Sequence, residues 1–254
     1  MSSGPKIAVL ICGHLRTWDK CRDNFIKSMG DADYDVFVHT YTKVKSYHPY
    51  IRDTYKVQND DLMNSTDEIQ TSIGIPCKRI EIEDESNAMT EVKEVEKKDL
   101  QCYQWSNYDP YHDLQVLKGK GISIRTYFQY RKIRLCNELR KEYERSANIK
   151  YDYVFKIRPD LNFESISAPI NLILNNIKGQ KGVVWISPAG CQPSDRVYLC
   201  ESNDMDRLIN GLGSAVLPTD REYNPHEYLA IAVSQSGLRF GHIREMHSLN
   251  PIIG

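Results

Sequence analysis

The sequence lacks any apolar run near the ~20 residues that a membrane helix needs, and its start, MSSGPK, has no apolar secretion segment. It lacks a charge excess: 33 Lys and Arg stand against 34 Asp and Glu, net −1, with neither half strongly basic. Electrostatic binding of nucleic acid is therefore not expected. It lacks a CxxC pair, and its seven cysteines (Cys12, Cys21, Cys77, Cys102, Cys136, Cys191 and Cys200) are scattered and odd in number. That pattern suits reduced, mostly buried thiols in a cytoplasmic protein better than a disulfide framework or a zinc site. No G-x-G-x-x-G and no GxxxxGK[ST] occurs, which removes the main support for dinucleotide-dehydrogenase and P-loop readings. No repeat or low-complexity tract is present. The expectation is a soluble, cytoplasmic, globular chain.

What is present is ordinary α/β material: 254 residues, 41% hydrophobic and 26% charged. A chain of this length buries roughly three-quarters of its unfolded surface without staples. KIAVLIC, Lys6–Cys12, is a continuous apolar run that reads as a strand covered on both faces. A helix over Thr17–Met29, closed by Gly30, and a strand over Asp33–Tyr41 complete a βαβ unit. A helix over Asp60–Ile73 and a strand over Cys77–Glu83 follow. Residues 84–121 form an excursion whose Tyr103, Trp105, Tyr108 and Tyr111 suit either an acceptor-sugar surface or lid, or a small satellite core. Ile124–Arg145 reads as the main helix, with Ile124, Phe128, Leu135 and Leu139 on one face. Beyond it come a strand over Tyr151–Ile157, a helix over Leu172–Ile177, and strands over Val183–Ser187 and Arg196–Cys200. Two further helices, one capped by Ser202 and one over Asn224–Gly237, lead to a last strand in LRFGHI. The fold class is α/β: one domain with a Rossmann-like, mostly parallel sheet flanked by helices and a mixed C-terminal part.

Ligands of open α/β sheets bind beyond the carboxyl ends of the strands. Three polar clusters fall there: Gly13, His14, Arg16 and Thr17; His39, Thr40 and Tyr41; and Lys156, Arg158 and Asp160. Cations and a carboxylate converging on one crevice suit a bound diphosphate. Each cluster also has a plain structural reading. Arg158 and Asp160 suit a pair tying strand to loop, GHLRT suits a polar turn with Thr17 as N-cap, and His39 suits a core histidine. The strings Asp31-Ala32-Asp33 and Asp204-Met205-Asp206 fall at the wrong sheet edge and in a helix's first turn.

The succession KIAVLICGHLRTW, YDVFVHTY, YDYVFKIRPDL, SDRVYLC and PHEYL resembles a group of GT-A-type glycosyltransferases found in polysaccharide-assembly loci and large DNA viruses. The resemblance runs from about Lys6 to Gly241 and is firmest at the first two strands and at KIRPDL. It implies a single glycosyltransferase domain over residues 1–254. A nucleotide-binding part would span about 6–83, a lid or excursion 84–121, and a diphosphate and acceptor part 122–241. It implies a UDP-, GDP- or dTDP-sugar donor, a carbohydrate acceptor, and a divalent cation, manganese or magnesium, held by a DxD-like motif. Here that motif reads Arg158-Pro159-Asp160, so the first carboxylate is replaced by a guanidinium. By the same resemblance Gly13, His14 and Arg16 would touch the nucleotide, Thr40 and Tyr41 its base and ribose, and Lys156, Arg158 and Asp160 the diphosphate. Asp160 and His242 would be metal ligands, and Asp195 or Glu227 would be the catalytic base or orient sugar and acceptor. Tyr41 suits a packed core residue equally, Asp195 a turn pairing with Arg196, Glu227 a plain helix start, and His242 a structural role. A nucleotidyltransferase, or a non-catalytic carbohydrate-binding scaffold on a degenerate transferase fold, remain the competing functions.

Overall fold

The computed structural model describes residues 4–15, 17–41, 43–44, 61–62, 65–84, 116–117, 122–189, 192–215, 225–246 and 249. Of these, 43–44, 61–62, 116–117, 122–128, 165, 188–189 and 192–195 are described by their backbone alone. The chain runs β1 (Lys6–Cys12), α1 (Trp18–Met29), β2 (Asp33–Tyr41), β3 (Lys43–Val44), β4 (Asp61–Leu62), α2 (Thr66–Ile73) and β5 (Cys77–Glu83). It continues with β6 (Val116–Leu117), β7 (Ile122–Ser123), α3 (Ile124–Ala147), β8 (Tyr153–Ile157), α4 (Ile170–Ile177), β9 (Val183–Ala189) and β10 (Gln192–Glu201). It closes with α5 (Ser202–Ser214), α6 (Pro225–Gln235) and β11 (Arg239–His242). Most of the 84–121 excursion lies outside the described residues, as do its four aromatics.

Seven strands form the main sheet in the order β11-β9-β10-β8-β1-β2-β5, and β3-β4 and β6-β7 are separate two-stranded pairs. β1 pairs in parallel with β2 on one side and β8 on the other. β10 is antiparallel to both β8 and β9, which makes the C-terminal part mixed. Side chains alternate across the sheet. Ile7, Val9 and Ile11 face a core with α1, α2 and α4, while Ala8, Leu10 and Cys12 face a second core with α3, α5 and α6. The five described cysteines are free thiols, four of them buried. Among the described residues no helix is long and apolar enough to cross a membrane.

The structure departs from the sequence reading at several ends. Thr17 makes no side-chain cap bond, and its buried Oγ1 has no hydrogen-bond partner among the described residues. α2 starts at Thr66 and not near Asp60, because Ser65 and Glu68 form a reciprocal capping box there. Ser202 is the first helical residue of α5 rather than its cap; its hydroxyl instead accepts from Arg140. The buried stripe of α3 is also not the expected one. Tyr130, Ile133, Cys136, Asn137, Arg140 and Glu144 point inward, whereas Leu135 and Leu139 are half-buried.

Polar residues can occupy that stripe because they satisfy one another. Arg140 is fully buried; its guanidinium reaches Glu144 at 3.0 Å and Asp206 at 2.5 Å and donates to Asn137 Oδ1 at 2.9 Å. The network bolts α3 to α5 over the sheet. A second cluster ties the amino ends of the parallel strands. Tyr151 donates to Asp35 at 2.7 Å, and Lys6 and Lys78 each approach it at 3.3 Å. Burial opposes the Asp35 charge, but Tyr151 and the two lysines hold its pKa below the ordinary carboxylate value.

Removing one member of a buried ionic network strands the others without partners. Arg140→Ala is expected to lower the unfolding free energy by about 3–5 kcal/mol. The midpoint of guanidinium chloride unfolding reads this directly, and an unchanged midpoint contradicts the network's role.

Candidate functional site

The strand order places a switch point between β1 and β8. From β1 the chain builds outward through β2 and β5, and then returns to β1's other side as β8. Both strands point the same way, so the loops that leave them emerge together at the carboxyl edge. The two loops touch. Gly13 has φ +127°, and a Cβ there would sit 3.7 Å from Pro159 Cδ. A side chain would be strained in this backbone conformation, so glycine belongs here. The Gly13 amide donates to the His39 carbonyl at 3.1 Å, which joins the β1 loop to β2 as well. The three polar clusters read from the sequence are thus joined at one place.

At the end of β8, Arg158 grips Asp160 with two bonds, Nε to Oδ1 at 3.0 Å and Nη2 to Oδ2 at 2.6 Å. The ion pair foreseen as a structural alternative is therefore present. Asp160 is the more buried partner: its side chain is 12% exposed against 31% for Arg158. Lys156, two residues back on the second-core face, is almost wholly buried. Its ammonium lies 4.6 Å from the centre of the Tyr198 ring and reaches the Arg196 carbonyl at 3.5 Å. A cation–π contact and a carbonyl are what make a buried ammonium tolerable.

Beside this lies a cluster on β2, β5 and α3. His39 is fully buried, and neither ring nitrogen makes a hydrogen bond among the described residues. Its Nε2 lies 3.8 Å from Glu83, which Arg131 holds bidentately at 2.6 and 2.7 Å. Burial, then the nearby charges of Lys132 and Arg131, push the His39 pKa down to about 3. Tyr41 is buried with its ring between His14, 4.9 Å between centroids, and the Lys132 ammonium, 3.7 Å from its centre. Thr40 alternates to the opposite face of β2 from His39 and Tyr41, so the expected Thr40–Tyr41 pair is split between the two faces.

The remaining candidates are spread along the same edge. Glu227 lies in the first turn of α6, half-buried. Because β11 starts at the amino edge, α6 must run down to it, which leaves Glu227 at the carboxyl edge. α6 packs on β10, beside β8, and Tyr130 of α3 donates to the Pro225 carbonyl at 2.6 Å to hold its start. Asp195 belongs to the early part of β10 at this edge; its side chain lies outside the described residues, as does Arg16 altogether. His242 ends β11 and is exposed. The register carries one row from Lys156 through Tyr198 and Ile186 to His242. Three strand spacings put His242 about 14 Å along the edge from Lys156. Sequence reasoning missed Arg131, Lys132, Glu83 and Tyr198. One signal for the first two was available: the helix before β8 must descend to the amino edge, so its early residues stand beside the site.

The described donor set does not fit the divalent ion that the resemblance implies. It offers one carboxylate, Asp160, with both oxygens already taken by a guanidinium. Unit charges 4 Å apart near a protein surface interact by about 4 kcal/mol, and a divalent ion beside Arg158 doubles that as repulsion. Among the described residues no three His, Cys, Asp or Glu side chains converge to hold a metal. The two literal DxD strings are spent elsewhere. Asp33 opens β2 at the amino edge. Asp204 accepts from the Gly182 amide at 2.6 Å, and Asp206 pairs with Arg140.

No protein-family model matches the sequence, and no curated protein matches it either.

His39 carries a pH signature. Unfolded histidine takes up a proton near pH 6.5, whereas folded His39 resists until about 3. Between those values the unfolded chain binds more protons, so stability falls as pH falls, by up to about 1.4 kcal/mol per unit. Urea unfolding at pH 7 and pH 5 is expected to show a smaller loss for His39→Gln than for the unaltered protein. Equal losses would mean that the folded imidazole takes up its proton as readily as the unfolded one.

Proposed function

We propose that this chain is a glycosyltransferase, moving a sugar from a nucleoside-diphosphate sugar to a carbohydrate acceptor. The observation that carries the reading is the meeting of the Gly13 and Pro159 loops at the switch point, with Lys156 and Arg158 brought to the same edge. The strand order, with β1 central and antiparallel β10 beside β8, supports a GT-A-type arrangement. Free thiols at Cys12, Cys21, Cys77, Cys136 and Cys200 support a cytoplasmic setting.

In this reading the departing nucleoside diphosphate develops negative charge, and preorganised cations stabilise it most where water is excluded. Arg158, aimed by Asp160, meets the phosphates. Lys156, already desolvated, adds its field from below. His14 and Tyr41, with Lys132 stacked behind, form the wall for the nucleoside. The acceptor hydroxyl gives up its proton to a carboxylate if the configuration inverts. Glu227 and Asp195 are the two candidates for that base or for orienting sugar and acceptor.

A thermal-shift screen with UDP, GDP, dTDP and CMP, with manganese present so that metal never limits binding, tests the reading. One nucleoside diphosphate is expected to raise the Tm by mass action on the folded state. Arg158→Ala is expected to weaken that ligand about tenfold or more. A larger shift with a nucleoside triphosphate points to a nucleotidyltransferase, and no shift with any nucleotide points to a non-catalytic scaffold.

A further inference from the structure

We infer that this site neutralises its diphosphate with side-chain cations and no divalent ion, Arg158 standing where a metal would sit and Asp160 serving to aim it. The inference rests on the transferase reading of the same site.

The charge balance favours the exchange. Two carboxylates and a divalent ion carry no net charge, and neither do Arg158 and Asp160 together. Replacing the first carboxylate with a guanidinium thus removes the ion's holder and supplies the ion's role in one substitution.

The geometry favours it too. Asp160 binds the Nε–Nη2 edge of the guanidinium, which fixes the plane of the group. A planar guanidinium held along one edge presents its Nη1 side in a set direction, and Arg matches phosphate oxygens bidentately. Pro159 stiffens the residue between the two partners, and its ring lies against Gly13, so the pair cannot drift from the β1 loop. The exposure order is that of a positioned cation. The carboxylate is inside and the guanidinium is the partner that faces solvent, so an arriving ligand meets Arg158 first. An ion seeking Asp160 would have to displace two charge-assisted bonds at 3.0 and 2.6 Å and remain beside the displaced cation. His242, three strands away along the edge, does not offer a second ligand in the same place. Asp160 is therefore a positioning residue and Arg158 the group that touches the ligand.

Calorimetric titration of the whole protein with UDP, GDP and dTDP, once in EDTA and once in manganese, separates the possibilities. The expected result is one nucleoside diphosphate binding with affinities within about threefold in the two conditions, well under the 1.4 kcal/mol of a tenfold change. Binding that weakens about tenfold or more in EDTA overturns the inference and leaves the transferase reading intact. No binding in either condition overturns the transferase reading, and the inference with it. Asp160→Asn provides the second arm, after circular dichroism confirms its fold. An aiming role predicts the same loss of affinity in EDTA and in manganese, while a ligand role predicts loss in manganese only. Manganese paramagnetic resonance gives a readout that needs no enzymatic turnover. The aqueous ion signal is expected to keep its full intensity when protein is added with the bound diphosphate, beyond what the diphosphate alone removes, and extra quenching that Asp160→Asn abolishes would overturn the assignment.

Discussion

The whole arrangement depends on β1 being shut away from water on both faces and both edges. Ile7 to Ile11 are fully buried, and the strand's amides and carbonyls are taken by β2 on one side and β8 on the other. A parallel strand of this kind cannot be left with an open face, so helices must cover each side. That demand recruits α1, α2 and α4 to one core and α3, α5 and α6 to the other. It also sends the chain outward to one side of β1 through β2 and β5 and back to its other side as β8, which brings the β1 and β8 loops together at the carboxyl edge. The site is thus a by-product of satisfying one apolar strand.

The two ends of the sheet are treated differently by the charges. At the amino edge, Asp35 gathers Tyr151, Lys6 and Lys78 around a single carboxylate, and the strand starts are locked. At the carboxyl edge the described cations are held in two ways. Glu83 fastens Arg131 and Asp160 fastens Arg158, while Lys132 and Lys156 rest against the aromatic faces of Tyr41 and Tyr198. An aromatic ring steadies a cation without cancelling its charge. Near them His39 is kept neutral by its burial and by the charges of Lys132 and Arg131.

Elements were legible where local chemistry and burial agreed. KIAVLIC and DYDVFVHTY were readable as strands because long β-branched and apolar runs have few other outcomes, and both stand at the boundaries expected. CKRIEIE, with its alternation, held as the half-covered edge strand β5. The inner face of α3 was not legible. An Arg, an Asn and a Glu occupy it, and their burial is made tolerable by one another, by the Tyr151 amide and by Asp206 of α5, a residue distant in the chain. Ser202 was misread for the same reason, since Arg140 competes for its hydroxyl. At the site, Arg158 and Asp160 could be named from KIRPD, but whether they grip each other depends on the turn that Pro159 makes against Gly13.

By itself the sequence determined the fold class, the βαβ start and the polar residues that follow the strands, because hydrophobic period and turn chemistry act within a few residues. It also placed Arg158, and not a second acid, two residues before Asp160. Only the tertiary structure decided that the β1 and β8 loops meet, that Lys132 stands behind Tyr41, and that Arg158 closes on Asp160. Those outcomes depend on strand order, which is set by how two cores pack on opposite faces of a sheet, and no local stretch of chain carries that information.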